Sequence, residues 1–299
     1  MKKSSLSLLL SAVLLVFTAQ VGANTGPSTL DKVKQTGSFT VGTRAASLPF
    51  NYLDDNNQQA GYAWEIIQRV ADKVKEQTGV AELKLVPMEV TPQTRIPLVA
   101  NNTVDLECSS TTHNQEREAQ VNFSTTFFVV GNKIFVPADS SIKNWSDLNG
   151  KSVVVSAGTT AERMLRNLNE SEKLNARIVL SKDIDNTYMM VHTGRAEAAV
   201  MDDMVLYGLI ARSQEPEKWA AVGDVLQPEA YGCMMRKGDD EFKALVDGVI
   251  TEMMTSGEMT ALYEKYFLQP INVRGGFNIN APMSEPIKEL IANPNDNIL

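Results

Sequence analysis

The chain has 299 residues with 43% hydrophobic and 21% charged side chains and a formal charge of −8. At roughly 100–200 residues per domain this predicts two compact units and excludes a chain that is disordered for most of its length. The acidic balance argues against a nucleic-acid partner. Two Cys and two His leave little from which to build a zinc or iron–sulfur centre, so no metal or cofactor is expected.

In chain order, Met1-Lys2-Lys3 is followed by an apolar run over residues 6–19 and by the small residues Val21-Gly22-Ala23. Charged, apolar, small is the order of a secretory leader cleaved after Ala23. The run is shorter than the ~20 apolar residues of a spanning helix, and no later segment is apolar for long enough. An exported, oxidising compartment follows. There Cys108 and Cys233 read either as a disulfide or as two unrelated buried thiols.

A βα rhythm then occurs twice. Residues 39–42 form a β-prone run, and Ile66, Ile67, Val70, Ala71 and Val74 recur at helical spacing within 62–78, bounded by Gly61 and Gly79. Residues 83–86 predict a strand. Thr91-Pro92 predicts a cap with proline at the first helical position, placing Arg95 in the opening turn. Residues 104–109 predict another strand, ending in the hydroxyl cluster Ser109-Ser110-Thr111-Thr112. After an extended run over 127–136 the rhythm restarts: strands over 152–157, 177–180 and 198–201, and helices over 161–168 and 186–193. A stretch over 230–236 is again extended, and 241–254 is amphipathic. Alternation of this kind predicts two α/β lobes with mostly parallel sheets. If the cysteines are bonded, the chain leaves the first lobe, builds the second and returns, giving two crossings near 130–136 and 228–234. The expected division is a leader over 1–23, one lobe from 24–133 and 230–299, and a second from 134–229.

Familiar catalytic patterns are missing. Gly150-Lys151-Ser152 lacks the upstream glycine of a phosphate loop, because Trp145 stands there. His113 and His192 have no local acid or nucleophile and read as structural or surface histidines. Anion recognition is better supplied. Gly158-Thr159-Thr160 at a strand-to-helix turn suits a carboxylate or is a plain N-cap, and Ser110-Thr111-Thr112 has the same two readings. Arg117 is either a forked carboxylate donor or a solvated helix-face residue beside Glu116 and Glu118. Asp202, at a strand end, is either an ammonium partner or a helix cap.

Several segments together resemble the periplasmic amino-acid-binding proteins of ABC importers, and within them the glutamate/aspartate branch. They are 28–33 (STLDKV), 41–50 (VGTRAASLPF), 95–98 (RIPL), 105–117 (DLECSSTTHNQER), 156–162 (SAGTTAE), Met201-Asp202-Asp203, 229–237 (EAYGCMMRK) and the Pro294-Asn295-Asp296 tail. They lie in colinear order over nearly the whole chain. The resemblance implies two lobes of the type II binding-protein fold joined by a two-stranded hinge, a monomer without cofactor, a periplasmic location, and delivery of the ligand to an inner-membrane permease. It implies that Arg117, with Thr112 and Thr160, holds an α-carboxylate. Asp202 and the Ser110 region then take the α-ammonium, Arg44 and Arg95 face the side-chain carboxylate, and Cys108 is bonded to Cys233. Two positions depart from the branch: Pro92 replaces a serine and Ile184 a histidine, both of which would grip the distal carboxylate. The named charges, Arg44, Arg95 and Arg117 against Asp202, predict a cationic cleft. A dehydratase on the same scaffold, acting on a prephenate-like acid, and a binder of another polar amino acid are the alternatives.

Overall fold

Periodic burial of Ile66, Ile67, Val70, Ala71 and Val74 gives a helix over Tyr62–Thr78, closed by Gly79 in the left-handed conformation at φ 69°. The computed structural model describes residues 26–271, 273 and 276–298, so the leader and its cleavage point lie outside the described residues. Two five-stranded sheets organise the chain. The first has the order Lys84–Glu89, Ser38–Thr43, Leu106–Glu107, Met234–Arg236, Val121–Phe123. Its first three strands are parallel, and Met234–Arg236 is antiparallel to both neighbours. The second has the order Arg177–Ser181, Ser152–Ser156, Ala198–Asp202, Phe128–Pro137, Trp219–Tyr231, with the same parallel core and antiparallel returning strands. A small sheet of Ala46–Ser47, Asn51–Leu53 and Gln59–Ala60 lies beside the first.

The chain crosses between the sheets along one antiparallel ribbon. Phe128 pairs with Tyr231, Val129 with Ala230 and Val130 with Glu229, and register shifts follow toward Val222. Phe128 and Tyr231 are fully buried in an aromatic cluster, where Phe50 meets Phe128 edge-on at 4.9 Å and Phe267 stacks on Phe128 at 5.0 Å. Cys108 and Cys233 form a disulfide with a Cα–Cα distance of 4.3 Å. It ties the returning chain to the first sheet where the ribbon ends.

Several boundaries differ from the sequence expectation for identifiable reasons. Pro92 is not the first residue of a helix. Thr91 and Thr94 instead close a turn reciprocally, each hydroxyl accepting from the other's backbone N–H, and the helix runs over Arg95–Ala100. The extended stretch at 230–236 is interrupted at Gly232 and Cys233, where the chain changes sheets. Trp219–Tyr231 begins well before the expected crossing, because pairing with Phe128–Pro137, not its own alanine-rich composition, makes it a strand. Helices over Thr29–Thr36 and Glu258–Tyr263 escape the periodicity reading. The C-terminal helix Glu285–Ala292 packs Ile287 and Leu290 inward, and Asn295 O accepts from Thr126 N at 2.9 Å beside the ribbon. Among the described residues no helix is long and apolar enough to cross a membrane.

The disulfide closes a span of 125 residues, so Cys108→Ser with Cys233→Ser is expected to cost ~2–4 kcal/mol. Urea unfolding of the oxidised wild type and the double variant measures the difference. Superimposable curves would show that the bridge adds no stability.

Candidate functional site

The carboxyl ends of parallel strands from both sheets meet at one cleft, where open α/β sheets place their ligands. Arg44 follows Ser38–Thr43, and the Ser109–Thr112 segment follows Leu106–Glu107. Across from them, Gly158 to Thr160 follow Ser152–Ser156, and Asp202 ends its own strand. Arg44, Arg95, Ser110, Thr112, Thr160 and Asp202 all line the cleft, a narrow space of about 40 Å³, and Arg117 is not among its lining residues. Pro92 and Ile184, where the resemblance breaks, line it too.

Each predicted residue has a definite setting. Asn51 joins two strand ends: its Oδ1 accepts from Arg44 N at 3.2 Å and its Nδ2 donates to Cys108 O at 3.2 Å. The Arg44 guanidinium is buried and has no hydrogen bond or ion pair among the described residues. Burial, and then the charge of Arg95, pushes it down to about 10. Arg95 donates from Nη1 to Ser110 O at 2.8 Å and to the Thr111 hydroxyl, while its buried Nε is unpartnered. Ser110 Oγ lies 2.9 Å from Ser47 Oγ.

Arg117 settles between its two readings: it is only 6% exposed, so it is not a solvated helix-face residue. Its Nη1 donates to Thr112 O at 2.7 Å and its Nη2 reaches across the cleft to Gly158 O at 3.3 Å. Burial and Arg95 push its guanidinium down to about 10. Thr159, not Thr160, caps the helix Thr160–Ser171 by accepting from Glu162 N, which leaves the Thr160 side chain for the cleft. Asp202 makes no cap either, and its carboxylate accepts from the Tyr231 hydroxyl. Of the histidines, His192 is exposed. His113 is buried, with its ring 4.5 Å from Phe123 and its Nε2 2.8 Å from a Glu118 oxygen. Its acid partner lies five positions away on the next turn, where inspection of adjacent residues does not find it.

Two carboxylates were missed. Glu107 is fully buried and accepts from the hydroxyls of Ser109 and Thr111. It fits because its parallel partner is Gly42, where an added Cβ would stand 2.8 Å from Glu107 Cγ. Glu229, on the hinge ribbon, joins three regions. Its carboxylate accepts from Thr112 of the first sheet's unit, from Thr160 of the second's at 2.7 Å, and from Asn132 Nδ2 at 3.0 Å. The cationic balance expected from sequence is therefore corrected: Arg44, Arg95 and Arg117 are matched by Glu107, Asp202 and Glu229. Both glutamates stand in segments quoted for the resemblance, but a strand glutamate alone reads as solvated.

The arrangement gathers charged and hydroxyl side chains at one cleft. Among the described residues no cluster of three potential metal ligands occurs. The model of the family 3 bacterial extracellular solute-binding proteins matches residues 39–269. The chain belongs to that family. An L-glutamate/L-aspartate-binding protein of Pseudomonas aeruginosa is 45% identical over 292 residues, 97% of this chain and 96% of its own. A glutamate/aspartate import solute-binding protein of Escherichia coli is 40% identical over 272 residues, 91% of this chain and 90% of its own. The crystal structure of an ancestral amino acid-binding protein, described as a precursor of cyclohexadienyl dehydratase, superposes with a TM-score of 0.69 at 29% identity, covering 80% of this chain and 99% of that one. The fold is the type II periplasmic-binding architecture, α/β, as the sequence predicted; the sheets are mixed, each parallel core continued by antiparallel returning strands.

Two outcomes follow for this solute-binding protein. Burial, and then the charge of Glu229, pushes the Asp202 carboxyl up from 3.8 to about 7. A raised folded-state carboxyl makes folding take up a proton, so its contribution falls as pH rises from about 4 to 7 and is flat beyond. Relative to Asp202→Asn, the wild type should therefore lose melting temperature across that window, and parallel melting-temperature profiles for the two proteins would contradict the shift. Glu229→Ala leaves three donors without their acceptor and is expected to cost at least ~2 kcal/mol in urea unfolding, whereas Glu229→Gln keeps an acceptor and loses less. Equal losses would show that the hydrogen bonds are not what matters.

Proposed function

We propose that this chain captures an acidic L-amino acid, glutamate or aspartate, in the periplasm after its leader is removed, and delivers it as a monomer to an ABC permease. The observation that carries the reading is that Arg44 and Arg95 line one cleft with Thr112, Thr160 and Asp202, while Arg117, outside that lining, donates to Thr112 O and Gly158 O. The names of the 45% and 40% identical relatives, quoted above, support the same ligand class.

The pose follows from the charges. The ligand α-carboxylate meets Arg117 at the Thr112 and Thr160 rim. The α-ammonium meets Asp202 and the Ser110 region. The side-chain carboxylate meets Arg44, helped by Arg95. The lobes divide at 24–133 with 230–299 and at 134–229, and the ribbon between them is the hinge. Delivery without chemistry is preferred to the dehydratase alternative, because the charged groups lining the cleft, Arg44, Arg95 and Asp202, suit a charged amino acid. The ancestral neighbour is itself described as an amino acid-binding protein.

A thermal-shift panel of amino acids tests the ligand. At one hundred times its dissociation constant, glutamate or aspartate should stabilise by ~2.7 kcal/mol. Arg117→Ala should remove the response to every amino acid, whereas Arg95→Ala should weaken glutamate and aspartate more than their amides. A shift with another solute but with neither acid would overturn the ligand, and turnover of a prephenate-like acid would overturn the carrier role.

A further inference from the structure

A second cavity, of about 790 Å³, lies outside the cleft and shares no lining residue with it. Its volume falls within the ~300–1,000 Å³ of small-molecule sites. One wall is aromatic. The Tyr188 ring centroid lies 5.4 Å from His192 and 5.4 Å from Trp219, and His192 lies 5.7 Å from Trp219. Phe135 stacks behind Trp219 at 5.0 Å, fixing the indole plane. Met189 is 49% exposed and adds a polarizable thioether to the same wall.

The charges of the rim do not cancel. Asp185 is paired with Arg212, and Glu215 with Lys218 at 2.5 Å. Asp139 and Glu217 also line the cavity and have no ion-pair partner among the described residues. Aromatic faces and uncompensated carboxylates favour the same kind of guest, a cation with a weakly hydrated surface. An anion would have to take Arg212 from Asp185 and approach Asp139 and Glu217, of which Glu217 acts only through space on Lys218.

We propose that this cavity is a second ligand site, for a small organic cation of the quaternary ammonium or aromatic amine class. The head group rests against Tyr188 and Trp219, with Asp139 and Glu217 supplying the charge. Two helices connect the site to the cleft: Ile184–His192 gives Ile184 to the cleft and Tyr188 to the cavity, and Asp203–Ala211 gives Val205 to the cleft and Leu209 to the cavity.

Benzyltrimethylammonium titrated into the full-length protein tests this, with the side-chain NMR signals of Trp219 and His192 as the readout. Saturable shifts at both residues are expected, and they should persist in excess L-glutamate. Asp139→Asn with Glu217→Gln changes only exposed side chains and should weaken binding roughly fivefold. Benzyl alcohol and benzenesulfonate should bind more weakly than the cation. Equal binding of either comparison compound, an unchanged double variant, no saturation, or displacement by glutamate would each overturn the site, and all but the last are independent of the cleft ligand being an acidic amino acid.

Discussion

Burying three guanidinium groups in and beside one cleft is the constraint on which the rest of this protein depends. Isolated ions cannot be taken out of water without several kcal/mol of penalty each, so every arginine must be answered locally. Glu107 acts on Arg44 and Arg117, and Asp202 and Glu229 on Arg117, yet burial outweighs them: both arginines are pushed down to about 10 and Asp202 up to about 7. The balance is reached by long-range pairing. Glu229 lies 117 positions from Thr112 and 69 from Thr160, so no local segment carries its own compensation.

The topology exists to make that pairing possible. Two parallel cores, each with its strand ends aimed at the same gap, place short loops where backbone and hydroxyl groups are free. The antiparallel ribbon of Phe128–Pro137 and Trp219–Tyr231 puts Glu229 between the two halves. Tyr231, its near neighbour on the same strand, is gripped by the aromatic cluster and donates to Asp202. A single strand thereby carries an interlobe acceptor, a core anchor and a donor to the cleft. The Cys108–Cys233 bridge fixes the point where that strand returns, next to Glu107 and the hydroxyl segment beyond it.

Legibility in the sequence followed the range of the interaction responsible. Tyr62–Thr78 was readable to the residue, because amphipathic spacing and flanking glycines are local signals. The convergence of Arg44, Arg95, Thr112, Thr160 and Asp202 was readable only by joining strand-end placement to a family resemblance. Arg117 could not be settled from sequence, since Glu116 and Glu118 suggest a solvated turn while Gly158, 41 positions away, supplies its burial partner. Glu107 was hidden for a similar reason. Its acceptability depends on Gly42 in a neighbouring strand, and nothing near residue 107 announces that absence of a Cβ.

The two departures from the glutamate/aspartate branch sharpen the proposed role of Arg44. A serine hydroxyl and a histidine imidazole would both share a distal carboxylate, but Pro92 and Ile184 present no side-chain donor at these positions in the cleft. Arg95 cannot fully replace them, because one of its terminal nitrogens is already committed to Ser110 O and Thr111. Arg44 is left buried with no hydrogen bond or ion pair among the described residues, answered only through space by Glu107 and Asp183. Such a group is costly until an anion arrives, and the proposed ligand's side-chain carboxylate is the anion that would relieve it. Selectivity for an acidic side chain would then come from ending an unfavourable burial rather than from a larger number of hydrogen bonds. A neutral amide of the same shape could fill the space, but it would leave Arg44 with only the through-space pull of Glu107 and Asp183.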